Sequence, residues 1–91
     1  MKWSDFKKEI TSLTPEEKSE LELMATLAKV RKLKNMTQAQ LALKVNLTQA
    51  QVARVENLTY MPSLETLTKI LNGLDLDLAL VDRSTGQLVR L

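Results

Sequence analysis

Two near-copies of one short pattern, Thr37-Gln38-Ala39-Gln40 and Thr48-Gln49-Ala50-Gln51, stand eleven residues apart in the chain. In each, a threonine precedes a glutamine by three positions. A threonine hydroxyl can cap the third helical N–H while the glutamine amide reaches back to the threonine's own N–H, so each copy reads as the start of a helix. Two helices therefore begin close together, and the first has room for only about two turns. Leu41, Ala42 and Val45 supply the buried side of the first; Val52 and Val55 supply that of the second. The connection, Val45-Asn46-Leu47, contains neither Pro nor Gly. Asn46 is the residue there best suited to a left-handed backbone. The spacing predicts helices over 37–45 and 48–57, joined by a tight turn and crossing at a large angle.

The flanking sequence extends this into a helical domain. Trp3, Phe6, Ile10 and Leu13 repeat at three or four residues, the stripe of a short amphipathic helix. Thr14-Pro15-Glu16-Glu17 combines a cap, a proline suited to the first helical position and an acid that can close a capping box. A long helix over 15–34 should follow. Its apolar residues occupy more than one face, which predicts packing on two sides. Met61-Pro62-Ser63 resets the chain, and Ser63 can cap a fourth helix over 64–72, ended by Gly73. Leu64, Leu67, Ile70, Leu71 and Leu74 form its expected buried face. The period then changes. Alternation from Leu74 to Val81 reads as a strand, 82–86 as a turn, and 87–91 as a second strand. Three segments result: a helical extension over 1–28, a core over 29–74 and a strand or hairpin over 75–91.

Composition narrows the chemistry. The 91 residues suit one domain. Hydrophobic residues make up 44% but aromatics only 3%, so the core must be aliphatic. The absence of Cys and His removes disulfides, thiolate sites, the commonest zinc ligand and the commonest general base. The serines have no imidazole partner, and no spacing suggests a Ser–Lys pair. Neither an enzyme nor a cofactor is expected. The polar N-terminus and the lack of an apolar run of about 18 residues lead to the expectation of a cytoplasmic protein without a membrane span. Net charge is +2, but residues 29–57 carry Lys29, Arg31, Lys32, Lys34, Lys44 and Arg54 against Glu56 alone. A positive middle third is what one polyanion-binding face requires; a solvated charge run would look the same.

Residues 27–74 resemble the Cro/C1-type (XRE) helix-turn-helix family. The resemblance rests on Thr37-Gln38, Leu41-Ala42, Val45, Leu47-Thr48-Gln49, Val52, Arg54, Glu56-Asn57 and Pro62-Ser63-Leu64-Glu65-Thr66-Leu67. It implies a mainly α, five-helix lambda-repressor-like domain with a short C-terminal strand or hairpin. It also implies duplex DNA as ligand. The second motif helix would lie in the major groove, with Thr48, Gln49, Ala50, Gln51 and Arg54 toward the bases. Gln38, Lys44, Asn57 and Thr59 would meet phosphates. Arg31 and Glu56 match a pair the family often bridges inside the domain, which assigns Arg31 to structure. Gln51 has a competing use in its own capping box. The family places Gly where Asn46 and Leu58 stand here, leaving the loop after Asn57 the less defined of the two.

One such unit offers few base contacts, so a homodimer on a palindromic operator is expected. Leu76, Leu78, Leu80 and Leu88 are the candidate dimer residues, through a sheet crossing the two-fold axis; a hairpin folded back on its own helices is the alternative. The arrangement, a small ligand-free XRE domain with extra acidic helical surface before it and the tail Leu76-Asp77-Leu78-Ala79-Leu80-Val81 after it, resembles HigA-type antitoxins. This resemblance implies a small mRNA-cleaving HigB-type toxin as partner in a heterotetramer, held through Trp3, Phe6, Ile10, Glu16 and Glu20, with repression of the shared operon. A stand-alone XRE-type repressor and a protein-interaction domain that no longer binds DNA are the rival readings. No small-molecule ligand is implied.

Overall fold

The computed structural model describes residues 14–59 and 61–89. They form four helices, α1 (Pro15–Leu33), α2 (Gln38–Lys44), α3 (Gln49–Glu56) and α4 (Leu64–Gly73), followed by an antiparallel ribbon of β1 (Leu80–Val81) and β2 (Leu88–Val89). The architecture is mainly α with a small hairpin, as expected. The expected helix through Trp3, Phe6, Ile10 and Leu13 lies outside the described residues.

All four helix starts follow one rule. Thr14, Thr37, Thr48 and Ser63 sit in extended backbone, and each side-chain oxygen accepts from the N–H three residues on. Thr37 with Gln40 and Thr48 with Gln51 complete reciprocal capping boxes. Thr14 instead donates its hydroxyl to the Glu17 carboxylate at 3.1 Å.

The helix ends share a second rule, and it uses no glycine. Asn35, Asn46, Leu58 and Asp75 follow the four C-caps, and all have φ between 55° and 61°. The next residue in each case reaches back to a carbonyl of the last turn: Met36 to Arg31, Leu47 to Ala42, Thr59 to Arg54 and Leu76 to Leu71. This is the Schellman arrangement, in which a left-handed residue lets the chain reverse and satisfies orphan carbonyls. Met36, Leu47 and Leu76 then pack against the core, the hydrophobic contact that accompanies the motif. Leu58 occupies a conformation costing a side-chain-bearing residue about 1–2 kcal/mol, and its packing on the core offsets part of that. The position does need what the family's glycine supplies.

Gly73 is a correction. It does not reverse the chain after α4; it is the last helical residue, and Asp75 takes the left-handed turn. Gly73 is buried, and a Cβ there would lie 2.4 Å from Val45 Cγ1 and 2.7 Å from Leu41 Cδ1. Its role is to let α4 approach α2.

The core gathers Met24 and Leu27 of α1, Leu41 and Ala42 of α2, Val52 and Val55 of α3, and Leu67, Ile70, Leu71 and Leu74 at α4. Each fully buried aliphatic side chain contributes about 1.5–3 kcal/mol relative to exposure. Three expectations change. Among the described residues α1 buries one stripe, Met24, Leu27 and Arg31, rather than two sides. Leu64 is 66% exposed although it shares the face of Leu67 and Leu71, because it is the first residue of α4 and stands at the end of that stripe. The alternation from Leu74 is not a strand until Leu80: Leu74 is fully buried in the core and Leu76 packs beside it.

The ribbon turns through a glycine bulge. Gly86, at φ 71°, donates to the Asp82 carbonyl while the Asp82 N–H donates to Gln87 O. The Asp82 carboxylate accepts from Ser84 Oγ at 2.6 Å and Ser84 N at 2.8 Å, which lowers its pKa below the usual carboxylate range.

Candidate nucleic-acid interface

The residues of α3 divide cleanly by angle. At 100° per residue, Gln49, Ala50, Ala53, Arg54 and Asn57 fall within an arc of about 140°. Gln49, Ala50, Arg54 and Asn57 are exposed and Ala53 is half-buried. Val52 and Val55 point the other way and are fully buried. Burial of two valines thus fixes which side of α3 faces out. Ala53 is the residue that sequence reasoning missed, although it lies four positions from Gln49 and three from Ala50. With Ala50 it keeps the centre of this face low, so that a surface can approach the helix while Gln49 and Arg54 project on either side.

Gln51 does not share this freedom. Its amide oxygen accepts from Thr48 N at 2.8 Å and from Thr48 Oγ1 at 3.2 Å. An adenine needs both an acceptor and a donor from a glutamine, and here the acceptor is already committed. Thr48 is committed equally, as cap. Thr59 closes the other end of α3, donating N–H and hydroxyl to Arg54 O at 3.2 and 3.1 Å.

A polar clamp holds α3 in place. Arg31 donates to Glu56 through Nε at 2.7 Å and Nη2 at 2.9 Å, and through Nη1 to Met36 O at 2.6 Å. Gln38 Nε2 adds a third donor to Glu56, at 3.0 Å from Oε1. The pair joins the end of α1, the loop after it, the start of α2 and the end of α3. Arg31 is only 8% exposed, and the Glu56 hydrogen bond raises its pKa against the opposing pull of burial. The structural assignment of Arg31 is thus met by geometry. Gln38 is drawn into the same clamp with one amide hydrogen and its oxygen still uncommitted.

The remaining cations are distributed more widely than the sequence suggests. Lys44 Nζ donates to Gly73 O at 2.9 Å, and Lys34 Nζ donates to Leu74 O. Both therefore serve the C-terminus of α4, where the helix dipole favours positive charge. Lys44 is joined to α4 instead of to the face of α3. It also lines a shallow groove of about 350 Å³ with Val45, Asn46, Lys69, Asn72 and Gly73. Arg54 is the one cation that α3 itself carries.

The other candidate sets separate too. Glu16 and Glu20 lie on the first turns of α1, where residues 15–20 are all exposed. Trp3, Phe6 and Ile10 lie outside the described residues. Among the dimer candidates Leu76 is half-buried and packs at the core's edge. Leu78, Leu80 and Leu88 are exposed, together with Val81 and Val89. The ribbon is thus not folded back on the helices. Its register pairs Leu80 with Val89 and Val81 with Leu88. Paired residues share a face, so Leu80 and Leu88 point to opposite sides of the ribbon.

Among the described residues no helix is long and apolar enough to cross a membrane. A family model described as Helix-turn-helix matches residues 27–81, more than half of the chain. Neither the curated proteins nor the solved structures contain a significant match. The family match begins within α1, spans the clamp and both motif helices, and ends with β1; the chain belongs to the helix-turn-helix family of the Cro/C1 (XRE) type and is a DNA-binding transcriptional regulator.

Proposed function

We propose that this regulator represses transcription in the cytoplasm as a homodimer on a palindromic operator, with α3 of each copy in the major groove. The observation that carries this is the outward face of α3. Gln49 and Arg54 are exposed on it, over a floor of Ala50 and Ala53, and among the described residues neither side chain has a hydrogen-bond partner. Gln49 pairs with adenine, Arg54 with guanine, and Ala50 meets a thymine methyl. Gln38, Lys44 and Asn57 contribute phosphate contacts, Gln38 through the half of its amide that Glu56 does not use; Thr59, with both donors on Arg54 O, holds the end of α3 instead. Thr48 and Gln51 act by holding the start of α3. A binding site selected from random duplexes tests this. Arg54→Ala and Gln49→Ala should each lower affinity by about 1–3 kcal/mol and relax the preference at one base pair, and Lys44→Ala should flatten the salt dependence by about one ion without changing that preference. Gln51→Ala should leave base preference unchanged. Unaltered selectivity in the Arg54 and Gln49 variants would remove α3 as the reader.

A second role is supported by the start of α1. Residues 15–20 are exposed, carry Glu16, Glu17 and Glu20 against Lys18, and precede the family match. The DNA-binding unit does not need this acidic surface. It suits a small basic protein, and we propose a HigA-like antitoxin that holds a HigB-type toxin in a heterotetramer. The test is co-expression with the product of an adjacent basic reading frame. The full chain should co-purify with it and suppress its RNA cleavage, and Glu16→Lys with Glu20→Lys should weaken the complex tenfold or more. A complex indifferent to both reversals would place the contact elsewhere.

A further inference from the structure

The outward face of α3 repeats one arrangement twice. Along the helix axis Gln49 and Ala50 stand at one level, and Ala53 and Arg54 at the next, about 6 Å further on. Each level thus holds one long polar side chain and one alanine methyl group. Around the axis both alanines lie inside the arc that Gln49 and Arg54 bound. Ala50 is exposed and Ala53 half-buried, so each methyl group is open to a surface laid on the helix. Burial of Val52 and Val55 leaves α3 no freedom to turn this face inward. The family supplies the ligand independently of this geometry: a DNA duplex.

Gln49 and Arg54 answer the polar groups on base edges. An alanine side chain neither donates nor accepts, so a base edge stabilises it only through an apolar group. The major groove displays one such group, the C5-methyl of thymine. An adenine taken by Gln49 brings that methyl in its own base pair. A guanine taken by Arg54 does not, because cytosine has none. At the second level the methyl must therefore come from a neighbouring pair. Ala53 follows Gln49 by four residues, so it lies beneath Gln49 and on that side of Arg54. We propose that Ala53 is a specificity-determining residue, meeting the methyl of a thymine in the base pair next to the Arg54 guanine, on the side of the Gln49 adenine. The inference rests on the placement of α3 in the major groove and adds a preference that no polar side chain reads. The contact recognises the methyl group and not the base. At this position 5-methylcytosine replaces thymine, and cytosine and uracil do not.

The test uses the full chain and the duplex it selects from random sequences. Uracil in place of that thymine removes the methyl alone and should lower affinity about fourfold, the worth of one buried methylene. 5-Methylcytosine paired with guanine should bind about fourfold tighter than cytosine at the same position. Ala53→Gly removes the contacting carbon, and this variant should bind the thymine and uracil duplexes equally. Comparing two duplexes with one variant cancels any loss of helix stability, because the same fraction of protein is folded in both measurements. A wild type indifferent to uracil there, or a uracil penalty that persists in Ala53→Gly, would refute Ala53 as a reader. Altered base preferences in Gln49→Ala and Arg54→Ala would then still keep α3 in the groove. A chain that selects no duplex would refute α3 as the reader, and Ala53 with it.

Discussion

Glu56 shows how much one carboxylate can organise. It accepts three hydrogen bonds, two from Arg31 and one from Gln38, with its side chain and that of Arg31 more than nine-tenths buried. Removing one partner of such a pair leaves an uncompensated charge in a poorly solvated place. Glu56→Ala should therefore cost about 3–5 kcal/mol, read as a lowered urea midpoint, and replacing both partners with apolar residues should recover most of it. A loss below about 1 kcal/mol, the range of exposed pairs, would show that the clamp contributes little. The family resemblance made this pair legible in advance. The third donor was not legible, because Gln38 reaches Glu56 only after α2 has turned back across α3.

At the scale of elements, starts were easier to read than ends. A cap and its box lie within four residues of sequence, so Thr37 with Gln40 and Thr48 with Gln51 announce themselves. A Schellman reversal accepts any residue able to tolerate a positive φ when the next side chain finds a core to pack on. Asn46 could be named from its residue type, but Leu58 and Asp75 could not. Gly73 misled for the same reason: glycine commonly marks a helix end, and here it marks a close approach. Gly73→Ala should destabilise the fold by about 1–3 kcal/mol through overpacking, despite a gain of up to about 1 kcal/mol in helix propensity. Thermal unfolding should show the loss, and Val45→Ala in the same chain should relieve it. A stabilised single variant would mean that Val45 and Leu41 yield without cost.

For the molecule as a whole, the division of labour falls at Asp77. Before it, Leu74 and Leu76 complete the helical core; after it, the large apolar residues are exposed. Removing residues 78–91 should give a folded monomer that melts cooperatively and binds DNA with low specificity. Persistence of a dimer in sedimentation would place the homodimer contact on the helices instead of the ribbon. The charge pattern changes meaning at this scale too. Six cations against one acid in residues 29–57 read as a single basic surface. The fold spends Arg31 inside the domain and Lys34 and Lys44 on the end of α4.

What this sequence determined alone were the properties carried by short-range chemistry: the order of the helices described here, their starts, the tight turn at Asn46 and the two valines that orient α3. A helix period and a cap need only neighbours within about four residues. The tertiary structure decided which polar groups remain available. It committed Gln38 and Arg31 to Glu56 and Lys44 to Gly73, and among the described residues it left the side chains of Gln49 and Arg54 without a hydrogen-bond partner. Those assignments depend on carbonyls and carboxylates that lie from 18 to 29 residues away in the chain, as for Gln38 with Glu56 and Lys44 with Gly73. No local pattern encodes such a partner; only the packing of α1, α2, α3 and α4 brings it within reach.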